Sequence, residues 1–446
     1  MMMNRYLSVF TQAAKAAGIS RLKFYCEERR SRDLSVYEGA LESLNRAEQT
    51  QLFAEGEVNG RSGSVFIENL DEALIPEQIQ KICQSAESCS AEFVPYDLEG
   101  LSLASLDGLE FLDLKDTLDQ MCRAEKAAYA EDSRVEQGIE VHVSERMRRI
   151  TLADEAGNQA SDVTTEGNLG VHLVVREGDQ VQPGGKRLPF QRTNMPDLSA
   201  MAQESVRTAL SKLGASSYAT GAFPVVLDSR VVAELLDAFM PAFLGKNVNS
   251  HMSVLAGRLG EELTGSNISI LEDPALEGGF SGRRFDDEGV PTTKKQIVEN
   301  GVLRCFLHNR QSAAQVGAVS GGNGFKNNYN EQVSTGYTNV YIPAGEKSQQ
   351  QLMEEMGNGL LITGVSGVFA GARPNSGDFS LISNGYRVEN GKLGQAVTQI
   401  TIAGNFFDVL KHVAAIGNDE SWMCTNVGCV RAPSLFVTKL AISGKE

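Results

Sequence analysis

The sequence predicts an α+β protein, with an N-terminal region of sheet and helix followed by a strand-rich, barrel-like C-terminal domain. Three observations carry that expectation. At 446 residues the chain exceeds what one hydrophobic core usually supports, so two or three domains are expected. Its first half alternates strand-like runs with helical ones, the pattern of helices laid on one face of a sheet. Its second half is rich in strands and glycine, with hairpins marked by Asn300-Gly301 and Asn390-Gly391, pairs that accept the positive φ of a two-residue turn.

The predicted divisions are 1–105 for an N-terminal α+β domain, 106–216 for a central α+β domain and 217–446 for the C-terminal strand-rich domain. A helix from Tyr6 to Ala17 ends at Gly18. Strands follow at Leu22–Glu28, Ser35–Leu44, Gln51–Val58 and Arg61–Ile67, then a helix from Pro76 to Ser85 whose proline suits a first turn. Ser90 to Leu109 shows little periodicity and reads as a linker. Leu114, Leu118, Met121, Cys122 and Glu125 recur at helical spacing, so Asp113 to Glu131 is a helix. Short strands are expected from Val135 to Leu188, turning at Glu177-Gly178 and Pro183-Gly184-Gly185. A helix starting at Pro196-Asp197 stops at Gly214.

In the last domain Asp228 can cap a helix through Met240. Ser348-Gln349-Gln350-Gln351 has the form of a capping box for a helix through Met356. Asp378 to Asp419 reads as a hairpin that feeds a helix. Gly404-Asn405 opens the amphipathic run Phe406 to Val413, and Gly417-Asn418 closes it.

Composition narrows the function. Lys+Arg 41 against Asp+Glu 57 gives a net charge of −16, spread along the chain. A diffuse negative field opposes general attraction to phosphate backbones, so nucleic acid is not an expected partner. No apolar run approaches a spanning helix and Met1 to Phe10 lacks a signal-peptide core, so neither membrane nor export is expected. Seven scattered cysteines, an odd number, argue against a disulfide framework and for a reducing cytoplasm.

The stretch Asp378-Phe379-Ser380, Gly385 to Gly391, Gln399 to Asn405 and Ile416 to Asp419 closely resembles the TldD/PmbA family. So do Phe285-Asp286-Asp287-Glu288-Gly289-Val290-Pro291-Thr292, which is similar to the family's F-D-x-E-G-x-x-T segment, and Glu299 to Leu303, Ser312-Ala313 and Gly357 to Leu360, in the family's order. The likeness covers most of the chain, strongest from Val225 to Gly444 and weaker before Glu136. It implies kinship with a two-subunit zinc peptidase in which TldD holds the metal on an H-E-x-x-x-H helix plus a cysteine near the C-terminus, and TldE/PmbA lacks those ligands. Imidazoles about one helical turn apart can converge on one ion while the carboxylate takes a proton from bound water.

The corresponding helix here, Ala233 to Phe243, holds no histidine; it reads Leu235-Leu236-Asp237-Ala238-Phe239-Met240-Pro241-Ala242. The chain's histidines are His142, His172, His251, His308 and His412, the nearest two 30 positions apart, and each reads as a surface or satisfied core histidine. Cys429 sits where the family has its C-terminal cysteine and, without imidazole partners, reads as a leftover ligand position or a small buried side chain. Asp237 reads as a solvated helix residue. Cys424 and Cys429 form no zinc knuckle, Cys305 and His308 face opposite sides of a predicted strand, and Ser320-Gly321-Gly322-Asn323-Gly324 reads as a flexible loop.

The resemblance therefore implies a TldE/PmbA-like subunit with no catalytic or metal residue and no cofactor of its own. Its partner would be a TldD-like subunit that carries the zinc, and peptide would be the substrate. Two other readings stay open. One is a self-sufficient peptidase built from Cys429 and distant histidines such as His308. The other is a homodimeric binding or modulator protein, as the family's link to DNA gyrase modulation suggests.

Overall fold

The computed structural model describes residues 2–89, 91–192 and 194–445. Met1, Thr193, Glu446 and Ser90, where the predicted linker begins, lie outside the described residues. Strands β1 (Leu22–Tyr37), β2 (Ala40–Val58), β3 (Arg61–Ile67), β4 (Glu140–Asp154), β5 (Gln159–Glu177) and β6 (Gln180–Phe190) build one half-barrel sheet, in the order β3-β2-β1-β4-β5-β6. Segments 1–105 and 106–216 thus give three strands each to a single sheet.

Period-two alternation decides which face is buried. Phe24, Cys26, Leu52 and Ala54 point to one face, under helices α1 (Met2–Ala16) and α2 (Ile75–Ser88). On that same face Val141, Val143, Leu169 and Val171 lie under α3 (Leu114–Glu131) and α4 (Leu198–Ser211). Asp113 and Asp197 cap the last two helices through their side chains, and each such cap stabilises by about 1 kcal/mol. The opposite face, bearing Tyr25, Phe53, Ile150 and Leu152, meets Phe285 of the C-terminal domain.

The C-terminal domain is a barrel. Strands β7 (Gly221–Leu227), β8 (Gly359–Ser366), β9 (Asp378–Glu389), β10 (Lys392–Asn405), β11 (Val413–Cys424) and β12 (Cys429–Ser443) belong to one mixed eleven-stranded sheet. β7 pairs with β8, β8 with β9, β9 with β10, β10 with β12 and β12 again with β7, which closes a five-strand ring. Closure leaves these strands no free edge. Helix α5 (Ser229–Phe239), capped by Asp228, follows β7 directly and buries Val231, Val232, Leu235, Leu236 and Phe239. Its Phe239 ring stacks on Phe406, centroids 4.7 Å apart. Ser348 and Gln351 form the expected capping box on helix α6 (Gln349–Met356).

Several local expectations are corrected, each because tertiary contact outweighs a local signal. Residues 35–44 are two strands, reversed at Glu38-Gly39, where both φ angles are positive. Pro183-Gly184-Gly185 is no turn but the middle of β6. A Cβ on Gly184 would come within 2.8 Å of Ala209 and of the Ser205 carbonyl, so the glycine lets α4 close onto the sheet. Helix α7 stops at Lys411 (Phe406–Lys411), and Gly417-Asn418 lie inside β11, where Gly417 leaves room for Ser434. The described part of the predicted linker is fastened, with Ala104 and Ser102 hydrogen-bonded to Ser161. No described helix is long and apolar enough to cross a membrane.

Candidate functional site

Helix α5 is apolar around most of its girth, so its one aspartate is conspicuous. Asp237 is half-buried, and the Tyr337 hydroxyl donates to its Oδ1 at 2.7 Å. Burial raises the Asp237 carboxyl above its ordinary value, and the Tyr337 hydrogen bond pulls it partly back. It is not the solvated residue the sequence suggested. Tyr337 is buried, and a Cβ on Gly428 would stand 2.5 Å from its ring; the glycine is what lets the 425–428 turn close over it.

The acidic segment that carries the family resemblance turns out to be scaffolding. Asp286 Oδ1 accepts from the Glu288 and Val290 amides and Oδ2 from the Gly324 amide. Burial and then the Glu288 charge nonetheless push its carboxyl up to about 7. Asp287 accepts from the Arg283 guanidinium and the Lys326 amide, and Glu288 from the Arg310 amide. These bonds lock 283–292 to 323–326. The Ser320–Gly324 stretch is correspondingly rigid rather than flexible: Asn323 is fully buried and donates to Glu272, which also takes Lys295 and the Thr338 amide.

Between these loops and the open face of the half-barrel lies a cavity of about 140 Å³, lined by Arg29, Arg146, Arg148, Arg283, Lys326 and Tyr337 among others. Asp287 and Lys326 also line a wider hollow of about 710 Å³ toward Lys23 and Arg310. Lys326 lies 3.5 Å over the Phe53 ring, and burial there pushes its ammonium down to about 8. Apart from Asp287, in the segment that carries the family resemblance, and Tyr337's aspartate partner, the sequence reading named none of these residues. Arg146 and Arg148, two apart on a strand, were the available signal; Arg29 and Arg283 join them only through register and lobe packing.

The residues singled out in the sequence are scattered. Cys429 is buried and disulfide-bonded to Cys424, which corrects the expectation of unpaired cysteines. The β11–β12 register sets the two directly opposite, Cα atoms 4.1 Å apart, a nearness that cysteine counting does not reveal. Cys305 and His308 lie outside any strand. Cys305 contacts the Gln296 carbonyl, its thiol pushed up to about 11 by burial, and His308 hydrogen-bonds Ser312 at 3.1 Å. His412 bonds the Asp408 carbonyl, and His251 is exposed on a positive-φ turn. His142 and His172 come together on the open sheet face, flanking Gly170.

A zinc site needs three or four convergent nitrogen, sulfur or oxygen donors. From Leu235 to Ala242, α5 and the turn after it offer Asp237 alone, already held by Tyr337, and the Cys429 sulfur is spent on Cys424. Among the described residues no three His, Cys, Asp or Glu side chains converge. The residues at this helix do not fit a zinc ion.

Comparison with known proteins places this architecture. A crystal structure described as a candidate modulator of a DNA gyrase from Thermotoga maritima superimposes with a TM-score of 0.85 at 27% identity, covering 99% of this chain and 100% of that one. TldE from Thermococcus kodakarensis shares the fold, with a TM-score of 0.84 at 19% identity and full coverage of both chains. The half-barrel facing a closed barrel is thus the α+β fold that TldE shares. Residues 107–213 match the PmbA/TldA metallopeptidase central domain and residues 220–444 its C-terminal domain; the chain belongs to the PmbA/TldD family. Metalloprotease PmbA of Escherichia coli O157:H7 is 25% identical over 383 residues, 83% of this chain and 82% of that protein. Metalloprotease MJ0996 of Methanocaldococcus jannaschii is 28% identical over 276 residues, 61% of this chain and 60% of its own length.

Proposed function

We propose that this chain is the TldE/PmbA-type subunit of a zinc peptidase. It binds no metal, pairs with a TldD-like subunit that carries the zinc, and supplies wall and docking surface for the peptide. The observation that carries the reading is the α5 donor set: two carboxylates, Glu234 and Asp237, the latter engaged by Tyr337, where a zinc peptidase helix needs imidazoles. The cleft between sheet and barrel is lined mainly by polar side chains, which can hydrogen-bond the amides and carbonyls of a bound peptide. Hydrolytic water would belong to the partner.

The test is purification of the full chain alone and with a TldD-like protein, followed by metal analysis and a peptidase assay. The expected result is zinc and hydrolysis in the pair and neither in the chain alone. Stoichiometric zinc in the isolated chain, or full activity without a partner, would reject the reading.

A further inference from the structure

The cavity on the open sheet face concentrates positive charge in a chain of net charge −16. Register explains how. Arg29 on β1 is directly opposite Arg148 on β4, a like-charge juxtaposition that is destabilising by itself. Arg146, two residues along β4, shares their face, opposite Ser31 on one side and Glu166 on the other. Glu27, 1% exposed, serves both Arg29 at 2.6 Å and Arg148 at 2.7 Å. Arg146 is exposed and makes no ion pair or hydrogen bond among the described residues, although Glu166 lines the same cavity.

From the barrel side comes Arg283, whose side chain is 6% exposed. One guanidinium nitrogen donates to Asp287 at 2.8 Å, while its Nε, 3.7 Å from Asp162, has no hydrogen-bond partner. An orphaned buried donor is costly unless something completes it. Five cationic side chains, Arg29, Arg146, Arg148, Arg283 and Lys326, thus face four carboxylates, Glu27, Glu166, Asp287 and Asp162, and Asp162 is shared with Arg284.

We propose that this cavity is an anion subsite for a carboxylate of an extended peptide, either its C-terminus or an Asp or Glu side chain. This rests on the reading of the cleft as a peptide-holding wall and names what the wall selects. Guanidinium forks match carboxylates bidentately. A volume of about 140 Å³ is below that of whole-ligand pockets and suits a single group. Phe280, Phe325 and Tyr337 form the less polar part of the lining, suited to a side-chain stem. A polyphosphate chain would meet the repulsion of the remaining surface.

The experiment is fluorescence anisotropy of the full-length chain with four labelled peptides that differ only in Glu against Gln at one position and in a free against an amidated C-terminus. One or both carboxylates should raise affinity roughly tenfold, the size of one good charged contact, and the four-way comparison shows which. R146A should remove that gain, so that the Glu and Gln peptides bind alike, and leave the melting temperature unchanged, and R146E should favour the neutral peptide. Equal binding of all four, unmoved by R146A, overturns the anion subsite and leaves the peptide-wall reading standing. Failure of every peptide to bind overturns both.

Discussion

The hydroxyl of Tyr337 donates to the carboxylate of Asp237 across 100 positions of sequence, tying the buried helix α5 to the wall of the cleft. Tyr337 lines the cavity and holds the helix with its hydroxyl oxygen. The helix that carries metal ligands in a zinc peptidase is here a support for that wall. Tyr337→Phe keeps the ring and removes the only hydrogen bond found on the Asp237 carboxylate among the described residues. The cost should be about 1–3 kcal/mol, read as a lower urea midpoint. Because the Asp237 pKa is already raised by burial, losing the donor raises it further. The loss should therefore be largest at alkaline pH, where the carboxylate is charged, and shrink on acidification. A deficit independent of pH would mean that the hydrogen bond is not its source.

Glu27 anchors the arginine cluster from beneath, accepting from Arg29, Arg148 and the Tyr25 hydroxyl. Glu27→Gln should cost about 1.5–3 kcal/mol, because two arginines only partly shielded from water lose a charged acceptor. Adding Arg148→Met should recover part of it, because one of the stranded charges is then gone. A double-mutant cycle on thermal or chemical denaturation measures the coupling. Strictly additive effects would show that the two groups do not depend on each other.

Much of the fold was legible because its signals are local. The caps at Asp228 and Ser348 stand where the sequence put them, and the helices expected to start at Asp113 and Asp197 are capped by those side chains, since a cap needs only its own first turn. The Asn390-Gly391 hairpin needs only its own φ angles, both positive. Gly184 and Gly417 were misread as turn residues because their role is to admit α4 and Ser434, which are distant in sequence. The site was less legible still. The absence of histidine from α5 could be read directly. Tyr337 and the meeting of Arg29, Arg148 and Arg283 depend on strand register and on how barrel and half-barrel face each other, and no window of sequence contains that.

Asp286 gives a pH signature. Its carboxyl sits at about 7 in the folded protein, against 3.8 ordinarily, so the folded state binds this proton more tightly than the unfolded one. The resulting stabilisation is complete below about pH 4 and is lost as pH rises through 7. Asp286→Asn should therefore flatten the fall in stability between about pH 4 and 7 by roughly one proton's worth of linkage. It should also lower stability overall, because an amide nitrogen cannot accept from the backbone amides that Asp286 now serves. Parallel pH profiles for mutant and wild type would remove Asp286 as the titrating group.

The Cys424–Cys429 disulfide fastens the turn whose Thr425, Asn426 and Val427 border the cavity. Five other cysteines are free. Thiol titration of the denatured, unreduced chain should therefore count five groups, and seven after reduction. Closing so short a loop stabilises by about 2 kcal/mol in the chain-entropy account, so reductant should lower the melting temperature by a few degrees. The C424S/C429S double variant should melt like the reduced wild type and gain nothing further from oxidation. Since the same turn covers Tyr337 through Gly428, reduction should also weaken peptide binding more than it weakens the fold. Seven titratable thiols without reductant would sink this prediction, and with it the view that the sulfur of Cys429 is already committed.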